Sequence, residues 1–593
     1  MSGVAVVFTL IKILVVIMFA LNVGGLLTIV ERRQMSMMQD RIGPNRAVVF
    51  LPAKIVKAAL AGIGVLLGVG ALGYAFGGGH EGAAQVGAGF TLLQLAVLMG
   101  WLGGLVIRAR ARDKEASSGF EGALASIEDP RPIFYAGMTA HLVLAVAYVS
   151  MRGAEGIGMP VLALGALACA LSLGGFGIWA SMQITGEKVG LRLGGLLHPA
   201  ADGIKFVMKE HFVPPNADKL LFNLGPLISV FPAFVIFAVI PFGDTLCVRY
   251  PTDLPWYQAL LQLKWAASVP ASGVCTDQAI SLQVANLNVG ILYIFALGGT
   301  GIIGAAIAGW SSDNKYSLLG GLRASSQMVS YEVALGLSLV GAFMIYGTLR
   351  LDDMVRWQSQ HTWGIFVQPL AFFLFFAAAI AEQKRTPFDS PEGESEIVAG
   401  YFLEYSGMRF SMFMLGEYIE IVTSSALIVT IFFGGFGLPF LARDGITVAF
   451  GDTVLFHHPM SHLAVIGLGV LAFFGKTIFL CWFQIFIRWT LPRFRYDQIM
   501  KLGWKVLLPA ALVNMMVTGV AMLAIDKAGV GVSNALQIAA QITQLLIVVG
   551  GVAGFVWFVS FLLRPVQKKR AIVSSAARYA AAQGGVKSAP MQA

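Results

Sequence analysis

Between Glu382 and Glu417 this chain carries a run of groups able to take up and release protons. The run reads Ala381-Glu382-Gln383-Lys384-Arg385-Thr386-Pro387-Phe388-Asp389-Ser390-Pro391-Glu392-Gly393-Glu394-Ser395-Glu396. It continues through Glu404-Tyr405-Ser406-Gly407 and Arg409 to Gly416-Glu417-Tyr418. Seven of the chain's 32 acids fall within these 36 positions, against three basic residues. An average charge run is a solvated face, but here Phe388, Ile397, Val398, Tyr401, Phe402 and Tyr405 interleave with the acids. Carboxylates crowded among apolar groups repel one another and are poorly solvated, so their pKa values rise toward neutrality. Groups tuned in this way exchange protons at working pH.

More ionisable groups lie inside apolar runs. Glu332, in Ser330-Tyr331-Glu332, stands nine residues beyond Arg323, about 13 Å along a helix and too deep for its short stem to reach water easily. Glu417 and Glu420 sit one turn apart at the start of another run. Acids at membrane depth mark proton paths by default; the plainer alternative is a hydrogen bond to a neighbouring helix. Lys476 lies twelve residues before Arg488, about 18 Å into its run if helical, where it could pair with a buried carboxylate and help move protons; snorkelling of its long stem is the alternative. Gly475-Lys476-Thr477 is no phosphate loop, because Gly469 is one residue too far away and the context is apolar. His457, His458 and His462 have no acidic or thiol neighbour in sequence, so no metal site is expected there.

The elements that hold these groups follow from composition. The chain has 593 residues, 57% hydrophobic and only 12% charged, against about 25% charged in soluble domains. This is an all-α polytopic membrane composition. The net charge of +9 suggests no nucleic acid partner, because the basic residues cap apolar runs rather than form one patch. Cys169, Cys247, Cys275 and Cys481 form no CxxC pair, so no iron–sulfur cluster or structural zinc is expected on this chain, and any electrons reaching it would come from a partner. Cys247 and Cys275 share one outside loop, where an oxidising compartment permits a disulfide; two unpaired thiols are the alternative.

The first apolar run, Val4 to Val30, ends in Glu31-Arg32-Arg33 without a cleavage signal, which predicts a first span with its N-terminus outside. Further runs at about 51–76, 88–107, 133–151, 159–184, 223–242, 287–310, 326–347, 365–381, 411–437, 463–487, 504–525 and 537–562 bring the count to thirteen spans. Asp202, Lys205 and Lys209 fall at helical spacing in a polar stretch, which predicts a helix lying along the inside surface. Lys315, Arg323, Lys384, Arg385, Arg409, Arg488, Arg493 and Arg495 all fall on predicted inside loops. Arg564, Lys568, Lys569 and Arg570 place the C-terminus in the cytoplasm. A bacterial cytoplasmic (inner) membrane suits this pattern.

Several ordered motifs resemble the H subunit (subunit 1 in mitochondria) of respiratory complex I. Glu31-Arg32-Arg33 with Gln39-Asp40-Arg41-Ile42-Gly43-Pro44-Asn45-Arg46 is similar to that family's first inside loop. Ala201-Asp202-Gly203-Ile204-Lys205 and Pro215-Asn216-Ala217-Asp218-Lys219 resemble its surface-helix region. Gly309-Trp310, Lys315-Tyr316, Leu322-Arg323 and Gln327-Met328-Val329-Ser330-Tyr331-Glu332 resemble its next loop and span. The acid-rich run and Leu491-Pro492-Arg493-Phe494-Arg495-Tyr496-Asp497-Gln498 complete the series.

The resemblance implies a membrane subunit of a proton-pumping NADH–quinone oxidoreductase, forming the membrane end of a quinone chamber. Quinone would be the substrate, with NADH, FMN and iron–sulfur clusters held by peripheral partner subunits. Small membrane subunits and antiporter-like subunits would be neighbours, and lipid the solvent. By position Arg32, Arg41, Asp202, Lys205, Arg323, Arg385 and Arg409 would line or shape the chamber. Glu382, Asp389, Glu392, Glu394, Glu396 and Glu404 would form its acidic wall, while Glu332, Glu417, Glu420 and Lys476 would serve a proton path.

The chain departs from the family pattern between residues 48 and 193, where four spans interrupt an almost direct connection. An even number of spans preserves the orientation of everything downstream. The sequence therefore divides into 1–47, an inserted four-helix segment 48–193, a membrane core 194–530, and an extra span with a basic tail, 531–593. The insert reads as a lateral addition touching lipid or an accessory subunit. The alternatives are the equivalent subunit of a related hydrogenase or dehydrogenase, or a stand-alone proton or ion transporter. The full quinone-type loop disfavours the first, and the lack of paired halves disfavours the second.

Overall fold

The computed structural model describes residues 3–39, 43–44, 47, 49–52, 182–185, 188–191, 197–249, 255, 258, 264–265, 275, 278–450, 453–527 and 530–563. Helices of seven residues or more are numbered in chain order. They are α1 Gly3–Met38, α2 His198–Met208, α3 Lys219–Ile236, α4 Gly290–Gly298, α5 Thr300–Ser311, α6 Lys315–Tyr346 and α7 Leu351–Gln360. Then come α8 Pro369–Glu382, α9 Gly407–Phe432, α10 His462–Thr490, α11 Tyr496–Leu502, α12 Leu508–Lys527 and α13 Val530–Leu563.

Among the described residues eight helical stretches are long and apolar enough to cross a membrane, and Pro369–Glu382 is a shorter apolar helix. Together they account for nine of the thirteen spans expected from sequence. The chain is an all-α polytopic membrane protein. The four spans of the insert lie outside the described residues except at their outer edges. There Leu51–Pro52 and Met182–Ile184 are strand rather than helix.

Those edges meet. Strand β1 (Val49–Pro52) pairs antiparallel with β3 (Lys188–Leu191), which also pairs with β2 (Met182–Thr185). Val49 stands opposite Leu191 and Pro52 opposite Lys188, so residues 52 and 188 are brought side by side.

Local signals set the helix ends. Asp218 caps α3 by accepting from the backbone N–H groups of Leu220 and Leu221. Asn314 and Ser461 cap α6 and α10 in the same way. Gly347, at φ +65°, ends α6 in the left-handed conformation that glycine adopts without strain. Small residues then let helices approach closely, as is usual where lipid supplies no hydrophobic drive between them. A methyl group on Gly304 of α5 would lie 2.7 Å from the backbone nitrogen of Ser229 on α3. The main buried cluster lies among α6, α8, α9 and α10 and includes Tyr331, Phe375, Phe432 and Phe473.

Helix α2 buries none of its residues, and its apolar Ile204, Val207 and Met208 are exposed. Although far apart in the sequence, Arg32 Nη2 near the end of α1 lies 2.7 Å from Asp202 Oδ2 on α2. At the other end of the helices, β4 (Leu246–Arg249) lies between β5 (Lys264–Trp265) and β6 (Gln278–Ile280). Cys247 of β4 is disulfide-bonded to Cys275, with their Cα atoms 5.5 Å apart. The chain divides into a unit 1–544 and a terminal unit 545–593, which is helical as far as Leu563.

Candidate functional site

The acid-rich run joins the end of α8 to the start of α9, and one buried side chain pins it. Gln327 of α6, fully buried, donates from Nε2 to the carbonyl oxygens of Ala381 and Phe388, both at 2.8 Å. Its Oε1 accepts from Ser390 Oγ at 3.3 Å. Phe388 packs edge-on against Tyr331 of α6 and against Phe494. Lys384 turns the chain at φ +58°, a conformation costly for a residue with a Cβ that persists where surrounding contacts enforce it.

This folding gathers charges that the sequence separates. Arg385 Nη2 lies 3.0 Å from Glu417 Oε2, and its Nη1 lies 3.7 Å from Glu31 Oε2. Glu31 also accepts from Arg488 Nη1 at 2.6 Å and from the Tyr418 hydroxyl at 2.7 Å. The Arg385 guanidinium stands 4.6 Å from the Tyr418 ring centre. Tyr401 Oη approaches Glu417 Oε1 at 3.5 Å, and Arg493 Nη2 binds Asp389 Oδ2 at 2.7 Å. Lys384 is 1% exposed, with its Nζ 5.8 Å from the Tyr401 ring centre. A cavity of about 10 Å³, lined by Glu31, Gln383, Arg385, Thr386, Gln484 and Arg488, has room for roughly one water.

Electrostatics sharpen the loop acids. Enclosure by protein pushes Glu392 well above the usual carboxylate range, and the neighbouring Glu417 carboxylate pushes it further. Burial likewise raises Asp389, despite the Arg493 charge beside it. Burial alone would lower Lys384, but the carboxylates of Glu420, Glu417, Glu392 and Glu382 outweigh it and hold its ammonium protonated.

The acids continue into the spans. Glu382 interacts electrostatically with both Glu420 and Glu332. Opposite them α4 breaks into α5 at two adjacent glycines. A methyl group on Gly298 would lie 3.6 Å from Glu382 Oε1, and one on Gly299 would lie 3.0 Å from Glu332 Oε1. A line of carboxylates in electrostatic contact thus runs from Glu392 through Glu417, Glu420 and Glu382 to Glu332. Protonation at any member changes the electrostatic energy of its neighbours, which is the requirement for passing charge along the line.

With this geometry in view, comparison with known proteins decides the family. A family described as NADH dehydrogenase matches residues 161–519. The NADH-quinone oxidoreductase H subunit 1 of Cytophaga hutchinsonii is 41% identical over 329 residues, 56% of this chain and 84% of the relative. The NADH-quinone oxidoreductase H subunit 2 of Geobacter metallireducens is 45% identical over 326 residues, 55% of this chain and 82% of the relative. The H subunit of Thermomicrobium roseum is 44% identical over 334 residues, 55% and 82% of the two chains. The chain belongs to the family of NADH-quinone oxidoreductase H subunits.

In this member of the family the residues expected from sequence fall into two groups. Glu382, Arg385, Asp389, Glu392, Glu417 and Glu420 come together, with Glu332 at the end of the line. Glu396, Glu404, Arg32, Asp202, Lys205 and Arg409 stand outside that buried cluster. Glu396 pairs with Arg323 at 2.8 Å, and Glu404 accepts from Asn314 Nδ2 at 2.7 Å. Lys205 is exposed, its Nζ 5.5 Å from the Phe206 ring centre. Arg409 donates to the Phe212 carbonyl at 3.5 Å and stands 5.6 Å from the Phe222 ring centre. The backbone of Glu394 opens a four-residue helix; its side chain, like Arg41 and Asp40, lies outside the described residues.

One expectation is corrected. Among the described residues Lys476 pairs with no carboxylate. Its Nζ donates to the carbonyl oxygens of Phe433, Gly435 and Gly437. Those carbonyls follow the end of α9, and they supply the partners expected of an acid.

The cluster also has members that residue type and spacing do not single out. In the sequence Glu31 is only part of a loop motif, Arg488 and Arg493 are only topology charges, and Gln327 is only part of a resembling segment. Each is polar at the end of an apolar run or inside one, which is the available signal.

Proposed function

We propose that this chain forms the membrane end of the quinone chamber of NADH–quinone oxidoreductase and couples quinone chemistry to proton translocation. The line of carboxylates from Glu392 and Glu417 through Glu420 and Glu382 to Glu332 carries this reading. In it, Arg32, Arg41, Asp202, Lys205, Arg323 and Arg409, with Glu394, Glu396 and Glu404, shape the outer wall that partner subunits close. The cavity beside Glu31 and Arg385 has room for about one water, and in this reading quinone meets the outer wall.

The chemistry of the chamber is divided among chains. NADH, flavin and iron–sulfur centres belong to peripheral partners, which deliver electrons to the quinone. This chain's acids respond to the charge of the reduced quinone, and a proton taken up at Glu392 or Asp389 shifts the occupancy of Glu417, Glu420, Glu382 and Glu332 in turn. The membrane is a bacterial cytoplasmic membrane, with the acid-rich loop on its inner face and both the N-terminus and the Cys247–Cys275 loop outside.

The reading is tested with Glu332→Gln and Asp389→Asn in assembled complexes. Both are expected to lower NADH-driven quinone reduction while leaving NADH oxidation by an artificial acceptor intact. Parental quinone reduction in both variants would remove the role.

A further inference from the structure

Lys476 stands in the middle of α10, and its surroundings are built for a cation rather than for proton exchange. Its Nζ donates to the carbonyl oxygens of Phe433 at 2.9 Å, Gly435 at 2.9 Å and Gly437 at 2.8 Å. The Trp363 ring centre lies 4.9 Å away. A protonated amine has three donors, and all three are matched here. An aromatic face adds attraction for the positive charge.

The turn that supplies these oxygens is itself fixed. It begins where α9 ends, and Gly434 and Gly435 adopt φ values of +71° and +50°, the left-handed region natural to glycine. These conformations aim alternate carbonyls at one point. Behind them Gln358 Oε1 accepts from the backbone N–H groups of Gly434 at 2.9 Å and Gly364 at 3.0 Å. Gly435 N–H donates to Val429 O at 2.8 Å and Gly437 N–H to Gly434 O at 2.7 Å. The cage is therefore held from outside by bonds that do not involve Lys476.

We propose that the Phe433–Gly437 turn and Trp363 form a cage for a primary ammonium, and that Lys476 fills it as a fixed charge positioning the outer end of α9. Carbonyl oxygens accept hydrogen bonds but take no proton, so the cage offers no proton acceptor. Loss of a proton from Nζ would leave one of three enclosed carbonyls unmatched. The charge also sits at the carbonyl end of α9, where the helix dipole favours a cation. Helix α9 carries Glu417 and Glu420 near its middle, so Lys476 acts on the acid line by holding that helix in place.

The test uses the full-length chain in its assembled complex, with Lys476→Arg and Lys476→Ala. Arginine stays charged at all working pH values. K476R is expected to keep NADH-driven quinone reduction with an unshifted pH profile. K476A is expected to lose about tenfold, the scale of a lost charged hydrogen-bonding group, and to melt at lower temperature. n-Propylammonium, which matches the deleted atoms, is expected to restore both melting temperature and turnover in K476A, whereas tetramethylammonium, which has no N–H donor, does neither. An assembled but inactive K476R, or a pH profile moved by the substitution, overturns the fixed charge. K476A melting unaffected by n-propylammonium overturns the cage. If K476A fails to accumulate, K476R decides alone. The turnover readout rests on the function proposed above, but the melting readout does not, so failure of one is distinguishable from failure of the other.

Discussion

Arg385 and Glu417 form a buried ion pair, 3.0 Å between Nη2 and Oε2, with side chains only 8% and 3% exposed. Removing one partner of such a pair leaves an uncompensated charge, at a cost of about 3–5 kcal/mol. Glu417→Gln is therefore expected to lower the melting temperature of the complex and to slow quinone reduction. Glu417→Gln combined with Arg385→Gln removes both charges, and the pair is expected to cost less than the sum of the single changes. Additive losses in the melting measurements would show that the two groups act independently.

Glu392 gives a pH test with a definite sign. Its folded-state pKa is raised above the ordinary 4.5 by enclosure and by Glu417. The folded state then binds more protons than the unfolded one once the pH exceeds about 4.5, so stability contributed by this group declines as pH rises toward its folded pKa. Glu392→Gln cannot ionise. Its melting temperature is expected to fall less than the parent's between acid and neutral pH, and equal slopes would show that Glu392 is ordinary in the folded chain.

The helices of the core and the places of its acids along them are legible in the sequence because both rest on composition. Long apolar runs and the charges that flank them place Glu332, Glu382 and Glu417 on or beside those helices without any tertiary information. Contacts made by folding distant segments together are not legible in this way. Nothing near Glu31 announces that Arg385, Arg488 and Tyr418 converge on it. Lys476 illustrates a different limit. Its depth follows from its distance to Arg488, but its partners are backbone carbonyls rather than a side chain, and such carbonyls are invisible to residue type. The separation of Glu396 and Glu404 from the buried acids is equally hidden, since it follows from Arg323 and Asn314 on another element.

The strand ends that flank residues 53–187 are paired with each other. Pro52 stands opposite Lys188 in the β1–β3 ladder. Antiparallel residues facing each other in this way can be joined by a two-residue turn, for which Asn-Gly is the favoured choice. Replacing residues 53–187 by Asn-Gly is therefore expected to leave the Arg32–Asp202 contact and the acid line intact. Assembly of the complex and retained NADH-driven quinone reduction would be the readouts. An assembled but inactive complex would mean that the insert takes part in turnover.

Gly299 offers the sharpest test of the acid line, because local propensity and the proposed role pull in opposite directions. The residue sits in the right-handed helical region, at φ −56°, where alanine fits the backbone and is favoured over glycine by about 1 kcal/mol. A methyl group there would nevertheless lie 3.0 Å from Glu332 Oε1, close enough to displace the carboxylate. Gly299→Ala is therefore expected to preserve or raise the melting temperature while slowing NADH-driven quinone reduction. Glu332→Asp withdraws the carboxylate by one methylene, so the double variant is expected to recover part of what Gly299→Ala loses. In a Glu332→Gln background the glycine change is expected to add little, since the group it disturbs no longer ionises. Full additivity across that double-mutant cycle would show that Gly299 acts on turnover by some route other than Glu332.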